Sequence, residues 1–259
     1  MKETIEQIPL MDAFRAQDEC PLCFLERKAE QHAIHFLLGP GASYMEEDIR
    51  EETDRTGFCR IHFKKMYDYG NKIGNALILH THLRKINRDM QKEMENFQPA
   101  GKGKNIFQKR KKGGIEATSI GEWIGKNEDS CYVCEHFKGI YHRYLQTFFH
   151  LYKKDESFRT LFEQSNGFCL PHFRDLTEMA QEKLKDKEKT VFYSALFDIM
   201  KTNMQRLEEE VSWLIDKYDY RNKDADWGNS RDSVQRAMQK LAGGYPADPI
   251  FNENERKMP

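Results

Sequence analysis

The sequence predicts an all-α protein built from two tandem, related helical modules, each pinned by its own metal site. Three observations lead there. Apolar residues recur at steps of three and four over long stretches, the signature of amphipathic helices. No stretch shows the period-two alternation of a half-buried strand. All six cysteines fall into one pattern that occurs twice.

The first copy reads Cys20-Pro-Leu-Cys23, then Gly57-Phe58-Cys59-Arg60-Ile61-His62. The second reads Cys131-Tyr-Val-Cys134, then Gly167-Phe168-Cys169-Leu170-Pro171-His172. Gaps of 35 and 34 residues separate the second and third cysteines of each copy, and the copies are offset by 111 residues at the first Cys and 110 at the His. Such self-similarity reads as an internal duplication. The duplication predicts one quartet of Cys20, Cys23, Cys59 and His62, and a second of Cys131, Cys134, Cys169 and His172.

Three thiolates and an imidazole form a tetrahedral zinc ligand set, because zinc is borderline soft and imposes no d-shell geometry. The expectation is two Zn2+ per chain. Each loaded site carries a net charge of about −1, which Arg60 is placed to balance in the first copy. Competing uses of the cysteines leave more unexplained. Disulfides do not account for His62 and His172. A redox C-x2-C lacks a surrounding βαβ pattern. An iron–sulfur centre with a His ligand remains an alternative. A c-type haem is excluded, since neither C-x2-C is followed directly by His.

In chain order, Phe24, Leu25, Ala29, Ala33, Phe36 and Leu37 predict a helix that Gly39-Pro40-Gly41 ends. A second helix spans about 44–55. Gly57 then sits where a helix C′ glycine belongs, Phe58 turns into the core, and His62 lies on the next helix's opening turn. A long helix over about 71–97 closes the first module, residues 1–98. The second module, 119–220, repeats this plan. Phe137, Ile140, Tyr141, Tyr144, Leu145, Phe148, Phe149 and Tyr152 form an aromatic stripe expected to be core. A short helix covers about 157–165, Gly167 and Phe168 repeat the turn, and Pro171 suits a first helical turn. A long helix over about 188–218 closes the module.

Between the modules lies a basic, glycine-rich linker, 99–118. Its stretch from Pro99 to Gly114 carries six basic residues, four glycines and no acid. It reads as a solvated connection, or alternatively as a nucleic-acid contact at 101–114. Phe107 is its one aromatic, so it makes a poor base-stacking platform. The last segment, 221–259, begins with Trp227-Gly-Asn-Ser230 and a helix whose stripe Val234, Met238 and Leu241 is expected to pack on the body with Trp227 as anchor. Gly243 ends that helix, and the residues after Pro246 read as disordered.

Composition bounds the function. Lys+Arg is 41 against Asp+Glu 42, a formal net charge of −1, which argues against a dedicated nucleic-acid binder. Mean hydropathy is −0.83 and no apolar run approaches a membrane span, so no membrane partner is expected. The N-terminus shows no secretory leader, which points to the cytoplasm. The chain carries no nucleophile elbow, phosphate loop, dinucleotide fingerprint or HExxH motif, so no catalytic residue is assigned. Of the nine histidines, His32, His35, His80, His82, His136, His142 and His150 do not repeat at the duplication offset and read as surface or packed residues.

The expected function is a zinc-binding scaffold that contacts a protein partner. A metal-dependent or iron–sulfur redox protein is the first alternative, and nucleic-acid binding through the linker is the second. The C-P-x-C, both G-F-C-x2-H elements and the late W-G-N-S before a helix ending L-A-G resemble an uncharacterised bacterial family, over about residues 3–244. That resemblance implies paired sites and a bacterial cytosol, and says nothing of substrate.

Overall fold

In a computed structural model, residues 5–99, 111–112, 115–116 and 118–244 are described. Eleven α-helices are found among them: α1 Gln7–Arg15, α2 Pro21–Leu38, α3 Glu47–Thr56, α4 Arg60–Tyr69, α5 Lys72–Glu95, α6 Ser119–Glu128, α7 Tyr132–Lys154, α8 Glu156–Glu163, α9 Leu170–Lys183, α10 Asp186–Asp216 and α11 Ser233–Ala242. The one β-ladder among the described residues pairs Lys111–Lys112 with Ile115–Glu116. The all-α expectation therefore holds. Most of the basic linker and the residues after 244 lie outside the described residues.

Local chemistry explains four of the helix starts. Asn71, Thr118 and Asp155 cap α5, α6 and α8 by accepting the N–H of Gly74, Gly121 and Phe158 at 2.9–3.1 Å. The Glu188 carboxylate accepts the Lys185 N–H at the start of α10. Tyr44 falls in a 3₁₀ turn, so α3 starts later than the pattern suggested. Helices α1 and α6 were not expected, because each is short and weakly periodic.

The described residues divide into two units, 5–30 with 137–244, and 31–136. These do not follow the expected boundaries at 98 and 119. The division falls within α2 and within α7, so each of these helices gives its first turns to one unit and its last turns to the other.

The first unit has an aromatic core. Phe14, Phe148, Phe149, Phe158, Phe162, Phe168 and Phe192 are all fully buried. Many of their rings meet edge to face, as Phe14 and Phe158 do at 5.0 Å and 72°. The second unit has a smaller, mostly aliphatic core of Ala33, Ile34, Leu37, Leu38, Phe58, Met66, Ile78 and Val133. Phe36, expected on the inner stripe of α2, is 48% exposed; Ile34 and Leu38 take the inner positions.

Candidate metal centres

Each ligand pair sits at the same place in its helix. Cys20 and Cys131 immediately precede α2 and α7, with Cys23 and Cys134 three residues on. Cys59 and Cys169 are the N-caps of α4 and α9, with His62 and His172 three residues on. A spacing of three carries a side chain from the N-cap to N3, on one side of the opening turn. The free N–H groups and the positive end of the helix dipole favour a thiolate there. The Cys23 N–H lies 3.5 Å from Cys20 Sγ.

The turns that deliver the G-F-C-x2-H pairs match closely. Gly57 has φ +60° and Gly167 φ +81°, conformations that L side chains rarely adopt. Gly57 also has no room for a side chain, since a Cβ would lie 2.9 Å from the His82 ring. Phe58 and Phe168 point into their cores, as expected. Cys59 (φ −71°, ψ 163°) and Cys169 (φ −69°, ψ 158°) then leave the turn in nearly identical conformations.

All eight expected ligands gather into two quartets, but the quartets are not those predicted. Cys20 and Cys23 meet Cys169 and His172, here called cage A; Cys59 and His62 meet Cys131 and Cys134, here called cage B. Each C-x2-C thus joins the G-F-C-x2-H of the other half. The reason lies in helix length. Cys23 opens α2, whereas Phe58 and Met66 pack with Ile34, Leu37 and Leu38 on its last turns. The same holds for α7, which opens at Cys134 but packs Phe148, Phe149 and Tyr152 with Phe158, Phe162 and Phe168.

In cage A, Cys169 Sγ lies 3.8 Å from Cys20 Sγ and 3.6 Å from Cys23 Sγ. His172 Nδ1 lies 3.3, 3.5 and 3.2 Å from the sulfurs of Cys20, Cys23 and Cys169. In cage B, His62 Nδ1 lies 3.2, 3.2 and 3.4 Å from the sulfurs of Cys59, Cys131 and Cys134. Zinc–sulfur and zinc–nitrogen bonds of about 2.3 and 2.0–2.1 Å give a tetrahedron with S···S edges of about 3.8 Å and S···N edges of about 3.5 Å. The donor atoms therefore stand at separations that fit one such ion. All six cysteines are free, with no disulfide among them.

The two cages differ in burial. All four ligands of cage A are buried, while in cage B Cys131 and His62 are buried but Cys59 and Cys134 are only half-buried. Electrostatics inside each cage are in conflict. Burial works against the Cys20 thiolate, yet hydrogen bonds from Cys169, Cys23 and His172 hold Cys20 well below the usual thiol range. Hydrogen bonds with Cys169 and Cys20, together with burial, push Cys23 up. Burial disfavours the His172 imidazolium, but Cys169 and Cys20 outweigh it and push His172 up to about 11. In cage B, the hydrogen bond with Cys134 draws Cys131 down to about 3, and the same pair drives Cys134 up. In each cage one thiol is thus drawn down while its C-x2-C partner is pushed up. A divalent cation at their centre removes that conflict.

Two residue sets near cage A were not read from the sequence. The Tyr141 ring lies 5.4 Å from the His172 ring, and its hydroxyl donates to Asp175 at 2.9 Å. Glu19, next to Cys20, is buried under Arg206, Arg236 and Lys240 at 2.8–3.0 Å. The pairing of carboxylate with cations 187 and more residues away leaves no local pattern to find. Arg60, expected to balance a site's charge, is exposed. Of the other histidines, His35 meets the Tyr69 hydroxyl at 2.9 Å and His82 Nδ1 lies 3.1 Å from the Asp54 carbonyl oxygen; none of the seven joins either quartet.

Helix α11 packs on α9 and α10, but on the opposite face from that expected. Val234, Met238 and Leu241 are 40–57% exposed, while Ser233, Gln239 and Lys240 are buried. Charged and amide groups turn inward because carboxylates and carbonyls wait there. Trp227 is half-buried, with Lys217 Nζ 4.9 Å from its ring centre. Among the described residues no helix is long and apolar enough to cross a membrane.

No solved structure matches the chain. An uncharacterized 23.9 kDa protein from Caldicellulosiruptor sp. (strain Rt8B.4), from the xynA 3′ region, is 19% identical over 207 residues, covering 80% of this chain and 85% of its own length. The model of the family of unknown function DUF6062 matches residues 1–248, and the chain belongs to that family.

Proposed function

We propose that the protein is a zinc-binding helical scaffold with two structural Cys3His sites, acting in the bacterial cytoplasm on a protein partner. The observation that carries this reading is the closure of both cages. Each gathers four donor atoms lying within 4.8 Å of one another. A complete four-ligand shell leaves no position for substrate, which is the composition of structural zinc rather than catalytic zinc. Donor separations near 3.5 Å support a single ion, since a multi-iron cluster spreads its ligands over several irons. Zinc binding is then folding energy, because no preformed site exists in the unfolded chain. We further read 1–98 and 119–220 as copies of one ancestral module. The equal N-cap and N3 placement of all four ligand pairs and the left-handed Gly57 and Gly167 support that reading.

The half-exposed thiols Cys59 and Cys134 favour a second reading, in which cage B exchanges its metal or serves redox chemistry. Elemental analysis and visible absorbance of protein purified without oxygen separate the two. Two zincs in a colourless protein support the structural reading. Iron and sulfide with absorbance near about 400 nm overturn it in favour of a cluster.

A further inference from the structure

The two cages are closed by different bonds. In cage B, the Tyr132 N–H donates to the Gly57 carbonyl oxygen at 2.9 Å, tying the C-x2-C helix to the G-F-C turn. Tyr132 is the residue after the first cysteine of its pair. The same position in cage A is Pro21, which has no N–H to give. The equivalent main-chain tie to the Gly167 turn is therefore impossible.

Lys240, on α11, occupies the gap in that scheme. It is 1% exposed. Its ammonium donates at 2.6 Å to the Glu19 carbonyl, next to Cys20, and at 2.6 Å to the Asn166 carbonyl, next to Gly167. Its third partner is the Glu19 carboxylate at 3.0 Å, so all three donors are used. The same face of α11 holds the loop at two more points. Gln239 donates to Asp18 Oδ1 at 2.6 Å, the oxygen that also accepts the Cys20 N–H at 3.0 Å. Arg236 donates to Glu19 Oε1 at 3.0 Å. The helix ends with Gly243 beside the site, where a Cβ would lie 3.6 Å from Cys169 Sγ.

We propose that Lys240 is the positioning residue that holds cage A closed, doing with a side chain what the Tyr132 N–H does in cage B. Helix α11 is on this account a clamp on the metal centre, which rests on the paired-cage reading above. The clamp explains why α11 buries its cationic face and leaves its apolar stripe outside.

The test is release of zinc from the loaded full-length chain into excess chelator. Wild-type protein gives two phases, assigned with Cys20→Ser and Cys134→Ser chains. Lys240→Met speeds the cage A phase by about tenfold or more, the range for loss of a group that orients metal ligands, and leaves the cage B phase unchanged. Adding Pro21→Ala to Lys240→Met restores most of the lost retention, because it returns an N–H facing the Gly167 turn. Pro21→Ala alone slows cage A release, and this result carries the test should Lys240→Met not fold. Lys217→Met removes another buried lysine of the same unit and leaves both phases unchanged. Equal release rates in wild type and Lys240→Met, equal acceleration by Lys217→Met, or no slowing by Pro21→Ala overturns the proposal. A wild-type chain without metal overturns the paired-cage reading itself, a result distinct from a loaded chain whose release ignores Lys240.

Discussion

Cage A and cage B use the same four-residue recipe, the same N-cap and N3 placement and nearly the same turn, yet they sit in unlike surroundings. Cage A is sealed in an aromatic core and clamped by α11. Cage B lies against a thinner aliphatic core, with two sulfurs half-exposed. Chain topology does not account for the difference. Cage A bridges residues 146 apart and cage B residues 69 apart. Doubling a closed loop changes its entropy by only about 0.6 kcal/mol. Burial and the surrounding bonds set the two sites apart, so on the proposed reading the ligand motif selects the metal and the shell sets how tightly it is held.

Removing a ligand is the harshest way to break the comparison. Cys20→Ser or His172→Ala is expected to cost one metal and more than about 4 kcal/mol of unfolding free energy, since both a metal site and a buried cluster are lost. Cys134→Ser, at the half-exposed rim of cage B, costs one metal and about half as much stability. Denaturant melts with parallel metal analysis check both; equal losses from the two sites would remove the distinction.

Glu19→Ala strips the carboxylate from beneath Arg206, Arg236 and Lys240 and leaves a buried ammonium without its counter-charge. Breaking a buried pair from one side costs about 3 kcal/mol or more. The charged groups beside cage B, where Arg55 meets Glu52 at 2.6 Å and Glu135 at 3.0 Å, do not involve Glu19, so cage B metal release is expected to stay at the wild-type rate in this variant. A chelator time course checks that.

Gly57→Ala forces a side chain into left-handed backbone and against the His82 ring. A cost of about 2 kcal/mol is expected, read as a drop in melting temperature. Gly167→Ala meets the Met200 sulfur at 3.3 Å and Ile199 Cγ2 at 3.5 Å, looser contacts than those at Gly57, and costs less, about 1 kcal/mol. The smallest effect sharpens the contrast without a mutation. A thiol alkylating reagent is expected to label Cys59 and Cys134 before the other four, by peptide mass mapping, because reaction follows exposure of the thiolate. Early labelling of Cys20 or Cys169 would contradict the burial order.

All eight members of the two quartets were legible in the sequence because N-cap to N3 is a local rule, repeated four times. The helical class, the Gly57 and Gly167 turns and the inward Phe58 and Phe168 were legible for the same reason. The pairing of the quartets was not. Spacing shows which two residues share a helix turn, but which turns meet depends on where α3, α4, α8 and α9 pack along α2 and α7. The orientation of α11 was hidden as well. Its stripe of Val234, Met238 and Leu241 imitates an inner face, and only the distant Glu19 and Asn166 carbonyls reveal why Lys240 wins the core.

The most direct test of the crossed pairing is a proton–cadmium correlation spectrum of the cadmium-substituted chain with assigned cysteines. The β-protons of Cys20, Cys23 and Cys169 should couple to one cadmium, and those of Cys59, Cys131 and Cys134 to the other. A single cadmium shared by Cys20, Cys23 and Cys59 would contradict the account.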